Sequence, residues 1–189
     1  MDSLVIKPDK DGLFVIDSFL DDESCDAIYD YCTLNHTSFI DRSKVGMNLG
    51  LRGEVGSYFS LLISAETTPK IWKETFSGIG INGLYLDSVM VNRYEEGDYI
   101  PPHRDKQSCV YTVTVALDNN EDNNLVFGDE NSWYDVVPLE ESNQSGKTKS
   151  FSDVKGRGIG FYGNKPVHWV PHVTGTRYSL ICLYGAITY

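Results

Sequence analysis

Four histidines occur in the chain, His36, His103, His168 and His172. His103 stands two residues before Asp105, just after a run that reads as a strand. On an extended backbone residues i and i+2 project from one face, so one imidazole and one carboxylate can point into the same cavity. His168 lies in a later strand-like run, residues 166–170. A third donor from there completes a two-histidine, one-carboxylate set. Such a set occupies one face of an octahedral iron(II) and leaves the other positions for substrate groups and O2. His172 competes for the third place, but it sits five residues before Arg177, in or near a turn, where it is expected to face solvent. His36 falls in a polar loop and is expected to be exposed. An H-x-D pair alone is a weak signal.

Arg177 adds weight to it. It follows His168 by nine residues, across Thr174-Gly175-Thr176, and a hairpin there would return it alongside the strand that carries His168. In Arg177-Tyr178-Ser179-Leu180-Ile181-Cys182-Leu183, Arg177 shares one strand face with Ser179, whereas Tyr178, Leu180 and Cys182 share the other. A guanidinium in such a strand is expected to be buried, and an unpaired buried cation is very costly. No acid lies between Trp169 and Tyr189, so its anion comes from elsewhere in the fold or from a ligand. A bidentate grip on a ligand carboxylate is the natural solution.

The elements that must position these groups follow from the pattern of apolar residues. A strand at 14–16 precedes Asp21-Asp22-Glu23-Ser24, which supply a cap and first-turn acids. Cys25, Ile28, Tyr29 and Cys32 then recur at i, i+3, i+4 and i+7, which predicts an amphipathic helix. Residues 35–50 read as a loop. The pattern predicts a second helix over about 54–66 and a shorter one from Pro69 through Phe76. From Leu84 the period becomes strand-like, with runs at 84–94, 110–117, 125–127, 134–139, 158–162, 166–170 and 177–184. The links are turn chemistry, above all the Asp, Asn and Glu of 118–124, and 140–150 reads as a polar, mobile segment. Helices followed by about eight short strands indicate an α+β domain whose β part is a sandwich or barrel.

Composition restricts the partners. The 189 residues carry 16 Lys+Arg against 27 Asp+Glu, a net charge of −11, which disfavours nucleic acid as a partner. Arg42, Lys44 and Arg52 lie close together but read as solvated loop charges. Cys25, Cys32, Cys109 and Cys182 contain no C-x-x-C pair and are expected to be small buried hydrophobes in a reducing compartment. No window approaches a membrane span, and the N-terminus has neither a basic start nor an apolar signal core. A cytoplasmic protein without membrane association is expected.

These residues also carry a resemblance. Tyr94-Glu95-x-Gly97-x4-Pro102-His103-x-Asp105 resembles the corresponding stretch of prolyl-4-hydroxylases. His168-x-Val170 followed by Arg177-Tyr178 is similar to the end of the hypoxia-sensing prolyl hydroxylases, and Arg177-x-Ser179 to the R-x-S element of many 2-oxoglutarate oxygenases. Asn92-Arg93-Tyr94 also resembles the AlkB nucleic-acid demethylases. The matches span roughly 89–184; each motif is loose, and the four in order are specific. The resemblance implies one domain over 1–189, with a helical part at about 18–80 and a double-stranded β-helix (jelly-roll, cupin-like) core at about 84–186, its N-terminal helices packed on one sheet. It implies iron(II) on His103, Asp105 and His168, and the distal carboxylate of 2-oxoglutarate on Arg177 and Ser179 with Tyr94 as a further donor. It also implies O2 as cosubstrate and ascorbate as an optional reductant.

The implied reaction is hydroxylation of a prolyl or other side chain in a peptide or protein, or of a free amino acid or small metabolite, with release of succinate and CO2. Asp105 fills the position that a small residue takes in the related halogenases. Two departures stand out. Collagen-type prolyl hydroxylases have lysine where Arg177 stands, and AlkB proteins carry a second arginine where this chain has Leu183. The alternatives are an AlkB-like demethylase and a non-catalytic jelly roll that binds a carboxylate ligand or a protein.

Overall fold

The computed structural model describes residues 12–45, 56–63, 84–128 and 148–186. Strand β1 (Phe14–Ile16) leads into helix α1 (Asp22–Leu34), followed by β2 (Ile40–Asp41), the four-residue α2 (Arg42–Val45) and β3 (Phe59–Ile63). Then come β4 (Leu84–Tyr94), β5 (Ile100–His103), β6 (Tyr111–Ala116), β7 (Asn120–Phe127), β8 (Lys149–Asp153), β9 (Gly158–Phe161), β10 (His168–Val170) and β11 (Arg177–Ala186). They form a seven-stranded sheet, ordered β1-β9-β6-β11-β4-β3-β2, and a four-stranded sheet, ordered β5-β10-β7-β8. Every pairing is antiparallel.

Strand alternation gives the larger sheet two different faces. Val89 and Val91 of β4, Val113 and Val115 of β6, and Leu180 and Cys182 of β11 belong to one apolar cluster. Cys25, Ile28 and Cys32 of α1 join that cluster, so the helix covers this face. Asp21 caps the helix by accepting from the Ser24 amide at 2.7 Å, and Asp22 and Glu23 complement its dipole. The alternate residues, Asn92, Tyr94, Thr112, Thr114, Arg177 and Ser179, line a cavity on the other face. Gly156, at φ +75°, permits the turn from β8 to β9 beneath the start of α1; a Cβ there would meet the Leu20 carbonyl oxygen at 2.3 Å.

Several expectations change. The helix predicted over 54–66 is instead strand β3 where it is described. Tyr58, Leu61 and Leu62 recur at a helical i, i+3, i+4, whereas Phe59, Leu61 and Ile63 alternate with a period of two; pairing with β4 selects the second pattern, and those three face the core. Among the described residues before β4, α1 is the one long amphipathic helix, and it packs on one sheet as expected. The turn expected at 118–124 is mostly the start of β7, with a register irregularity between Asn120 and Asn124. Strand β8 was not expected. Arg177 does not return in a hairpin beside His168: β10 and β11 belong to different sheets, so the turn at Thr174–Thr176 crosses between layers. The helix predicted at 69–76 and the strand at 134–139 lie outside the described residues.

All four cysteines are free thiols, and Cys25, Cys32 and Cys182 are buried as expected. Among the described residues no helix is long and apolar enough to cross a membrane.

Candidate functional site

His103 and His168 face each other as directly paired residues of β5 and β10, with ring centroids 4.3 Å apart. The first residues past β5 bring Asp105 to the same point. Its Oδ1 lies 3.9 Å from His103 Nε2 and 3.6 Å from His168 Nε2. Among the described residues this is the one group of histidine, cysteine and acidic side chains with metal-holding geometry; one donor atom from each lies within 4.8 Å of the others.

The surroundings orient all three. His103 Nδ1 is 2.8 Å from the Pro101 carbonyl oxygen, and His168 Nδ1 is 3.3 Å from that of Pro166. A carbonyl only accepts, so each Nδ1 carries the hydrogen and each Nε2 presents a lone pair. Burial first, and His168 beside it second, push the His103 pKa down to about 4, against the pull of Asp105. That leaves a neutral imidazole. Thr112 donates its hydroxyl to Asp105 Oδ2 at 2.6 Å, leaving Oδ1 toward the histidines. Gly163 lets this packing close: its carbonyl accepts from the Asp105 amide at 2.9 Å, and a Cβ would meet Thr112 Oγ1, Asp105 Oδ2 and the Cys109 oxygen within 3 Å. Phe127 and Phe161 pack against the His168 ring.

The histidines and Asp105 line a cavity of about 470 Å³, floored by the larger sheet. Register sets the floor. Arg177 pairs with Tyr94, and Ser179 pairs with Asn92, which pairs in turn with Ser60 of β3. Arg177 is buried as expected, but its bidentate partner is the protein's own Asp153 on β8. Nε donates to Asp153 Oδ2 at 2.6 Å and Nη2 to Oδ1 at 2.9 Å. Burial opposes the charge on Arg177, and the carboxylate beside it more than offsets this, raising the guanidinium pKa above its ordinary value. The guanidinium also lies over the Tyr94 ring, 5.2 Å from its centroid.

Three buried polar atoms on this floor have no partner among the described residues: Arg177 Nη1, Ser179 Oγ and Asn92 Oδ1. Such atoms are rare, because each forfeits its hydration without replacement. Asn92 Nδ2 donates to the Tyr94 hydroxyl at 3.4 Å, a long contact. Burial pushes the Tyr94 pKa up, against the pull of Arg177, so the phenol keeps its hydrogen and can donate it onward. Arg177, Ser179 and Tyr94 thus sit together, on the cavity that also contains the histidines and Asp105.

His172 is exposed, with its Nδ1 2.7 Å from the Gly97 carbonyl oxygen, and lies outside the cluster. His36 is exposed too. Lys44 is a surface charge paired with Asp41. Arg42 is not simply solvated: it is half-buried, lines the cavity and donates to Ser60. Thr112 and Asp153 were not picked out from the sequence. Thr112 is one of many strand threonines, and Asp153 precedes Arg177 by 24 residues on the opposite sheet.

No family model matches the chain, and no curated relative does. Solved structures do. A prolyl-4-hydroxylase from Pseudomonas putida superposes with a TM-score of 0.68 at 13% identity, covering 95% of each chain. A prolyl hydroxylase from Trichoplax adhaerens, in complex with a hypoxia inducible factor peptide fragment, gives 0.63 at 16% identity over 94% of this chain and 84% of the other. The epimerase SnoN, in complex with Fe3+, alpha ketoglutarate and nogalamycin RO, also gives 0.63, at 14% identity over 94% and 80%. At these identities the likeness establishes the fold, a double-stranded β-helix shared with iron and 2-oxoglutarate oxygenases.

Proposed function

We propose that this chain, as one domain over 1–189, is an iron(II)- and 2-oxoglutarate-dependent dioxygenase that hydroxylates an unactivated C–H bond. The observation that carries this reading is the convergence of His103, Asp105 and His168 on one point, in a cavity whose floor holds an unpaired donor of a buried arginine. The donor set fits the metal: two neutral imidazole nitrogens and one carboxylate oxygen are the facial triad of non-haem iron(II). The floor fits the cosubstrate, since Arg177 Nη1, the Ser179 hydroxyl and the Tyr94 hydroxyl are all donors and a dicarboxylate supplies only acceptors.

The protein's part is placement. The Pro101 and Pro166 carbonyls hold the two imidazoles in the tautomer that presents Nε2. Thr112 occupies one oxygen of Asp105 and leaves the other for the metal. Arg177, Ser179 and Tyr94 take the far carboxylate of 2-oxoglutarate. When bound, the iron supplies O2 activation coupled to decarboxylation of 2-oxoglutarate to succinate and CO2. Met90, Ile181 and Leu183 also line the cavity, as do the polar side chains Asp87, Arg104 and Lys106. The substrate that fits beside them is a prolyl or other side chain of a peptide, or a small molecule. The neighbouring folds include one bound to a peptide and one bound to nogalamycin RO. Leu183, where AlkB proteins carry an arginine, lines this cavity and brings no phosphate-binding charge.

Uncoupled turnover tests the reading. Wild-type protein with iron(II) and 2-oxoglutarate is expected to form succinate, and His103→Ala and Arg177→Ala to form little. Equal succinate from all three refutes it.

A further inference from the structure

We infer that Asp153 is a positioning residue for the cosubstrate, acting through Arg177; this rests on the 2-oxoglutarate reading of the same site. A guanidinium is planar, with five N–H bonds in a fixed fork. Once Nε and Nη2 are committed to the two oxygens of one carboxylate, its plane and the direction of Nη1 are set. Asp153 makes that commitment, at 2.6 and 2.9 Å, with side chains only 2% (Arg177) and 7% (Asp153) exposed. The Tyr94 ring fixes the remaining tilt from one side. What is left over is Nη1, the orphaned donor, and one further hydrogen on Nη2.

The two residues come from different layers: Asp153 ends β8 in the smaller sheet and Arg177 begins β11 in the larger. The pair therefore ties the anchor to the sheet that carries His103 and His168. A ligand that bridges the metal and the anchor spans between groups of both sheets, and the clamp holds their separation. The fork's two-nitrogen side is taken by the protein, so a ligand carboxylate meets the guanidinium only at its Nη1/Nη2 end. The clamp thereby fixes both where that carboxylate sits and how long the ligand must be. It also neutralises the cation in the free protein, so an empty cavity does not leave an unpaired buried charge.

Two variants separate placement from charge. Asp153→Asn keeps the shape but opposes an amide N–H to Nη2. Asp153→Glu keeps the charge, and so the counter-ion the fold needs, but moves the carboxylate by one methylene. Binding of 2-oxoglutarate to the manganese(II)-loaded protein is measured by calorimetry, alongside the KM and kcat of uncoupled iron(II) turnover. The shorter oxaloacetate and the longer 2-oxoadipate are included as length probes. Both variants are expected to bind 2-oxoglutarate at least about tenfold more weakly, in the range seen for outer-shell partners, with a larger change in KM than in kcat. Both are also expected to discriminate less among the three chain lengths.

Unchanged affinity and length preference in folded Asp153→Glu overturns the inference, as does tighter binding in either variant. Should Asp153→Asn not fold, Asp153→Glu alone decides. Failure of wild-type protein to bind 2-oxoglutarate at all refutes instead the function on which the inference rests.

Discussion

The two layers of the molecule present opposite kinds of polar surface to the same cavity. On the smaller sheet, His103 and His168 spend one ring nitrogen on a backbone carbonyl, and just beyond β5 Asp105 spends one oxygen on Thr112. Each keeps one lone-pair atom, and those atoms share a point. On the larger sheet, Arg177 Nη1 and Ser179 Oγ are buried donors that no described residue receives. One layer offers acceptors to a cation and the other donors to an anion. The proposed metal-chelating dicarboxylate would answer both, and neither layer alone specifies it.

Breaking the acceptor side is expected to have the largest effect. His103→Ala or Asp105→Ala should reduce succinate formation by more than the ~100-fold typical of losing an outer-shell partner, and treatment with a chelator should do the same to wild type until iron(II) is restored. Mass analysis of succinate per enzyme checks both. On the donor side, Arg177→Ala strands the Asp153 carboxylate in the interior. Removing one partner of a buried pair costs about 3–5 kcal/mol, so its urea midpoint should fall well below that of wild type, in addition to the lost cosubstrate affinity.

The contrast also explains what could be read from the sequence. His103 and Asp105 were legible because an i, i+2 pair on an extended backbone faces one way, and His168 because it lies in a later strand-like run, which the fold sets opposite His103. Arg177 and Ser179 were legible from alternation within β11. Asp153 was not, because nothing local marks which acid will cross from the other sheet to meet Arg177. The same kind of non-local choice hid β3. Its apolar residues suit a helix or a strand, and only β4 lying alongside decides. The crossover after β10 is non-local in the same way: Gly175 at φ +70° signals a turn but not which sheet the chain enters next.

A smaller change sharpens the acceptor side. Thr112→Val removes the hydroxyl that holds Asp105 Oδ2, and manganese(II) affinity should fall about 10–100-fold. Thr112→Ser should restore most of it, which separates the hydrogen bond from packing. Smallest is an effect of pH on the metal-free protein. The folded His103 pKa of about 4 lies below its ordinary value of 6.5, so between these pH values the unfolded chain binds more protons. Stability should therefore hold above about pH 6.5 and decline as pH falls toward about 4. Urea midpoints measured across that window should show the slope, and His103→Asn should flatten it.

The most direct test adds 2-oxoglutarate to iron(II)-loaded protein without oxygen and follows the visible charge-transfer absorption of an iron-chelated 2-oxo acid. A band saturating at one 2-oxoglutarate per chain, absent from His168→Ala and needing far more ligand in Arg177→Ala, is the expected result. No band in wild type, or the same titration in all three proteins, contradicts a shared site built from both sheets.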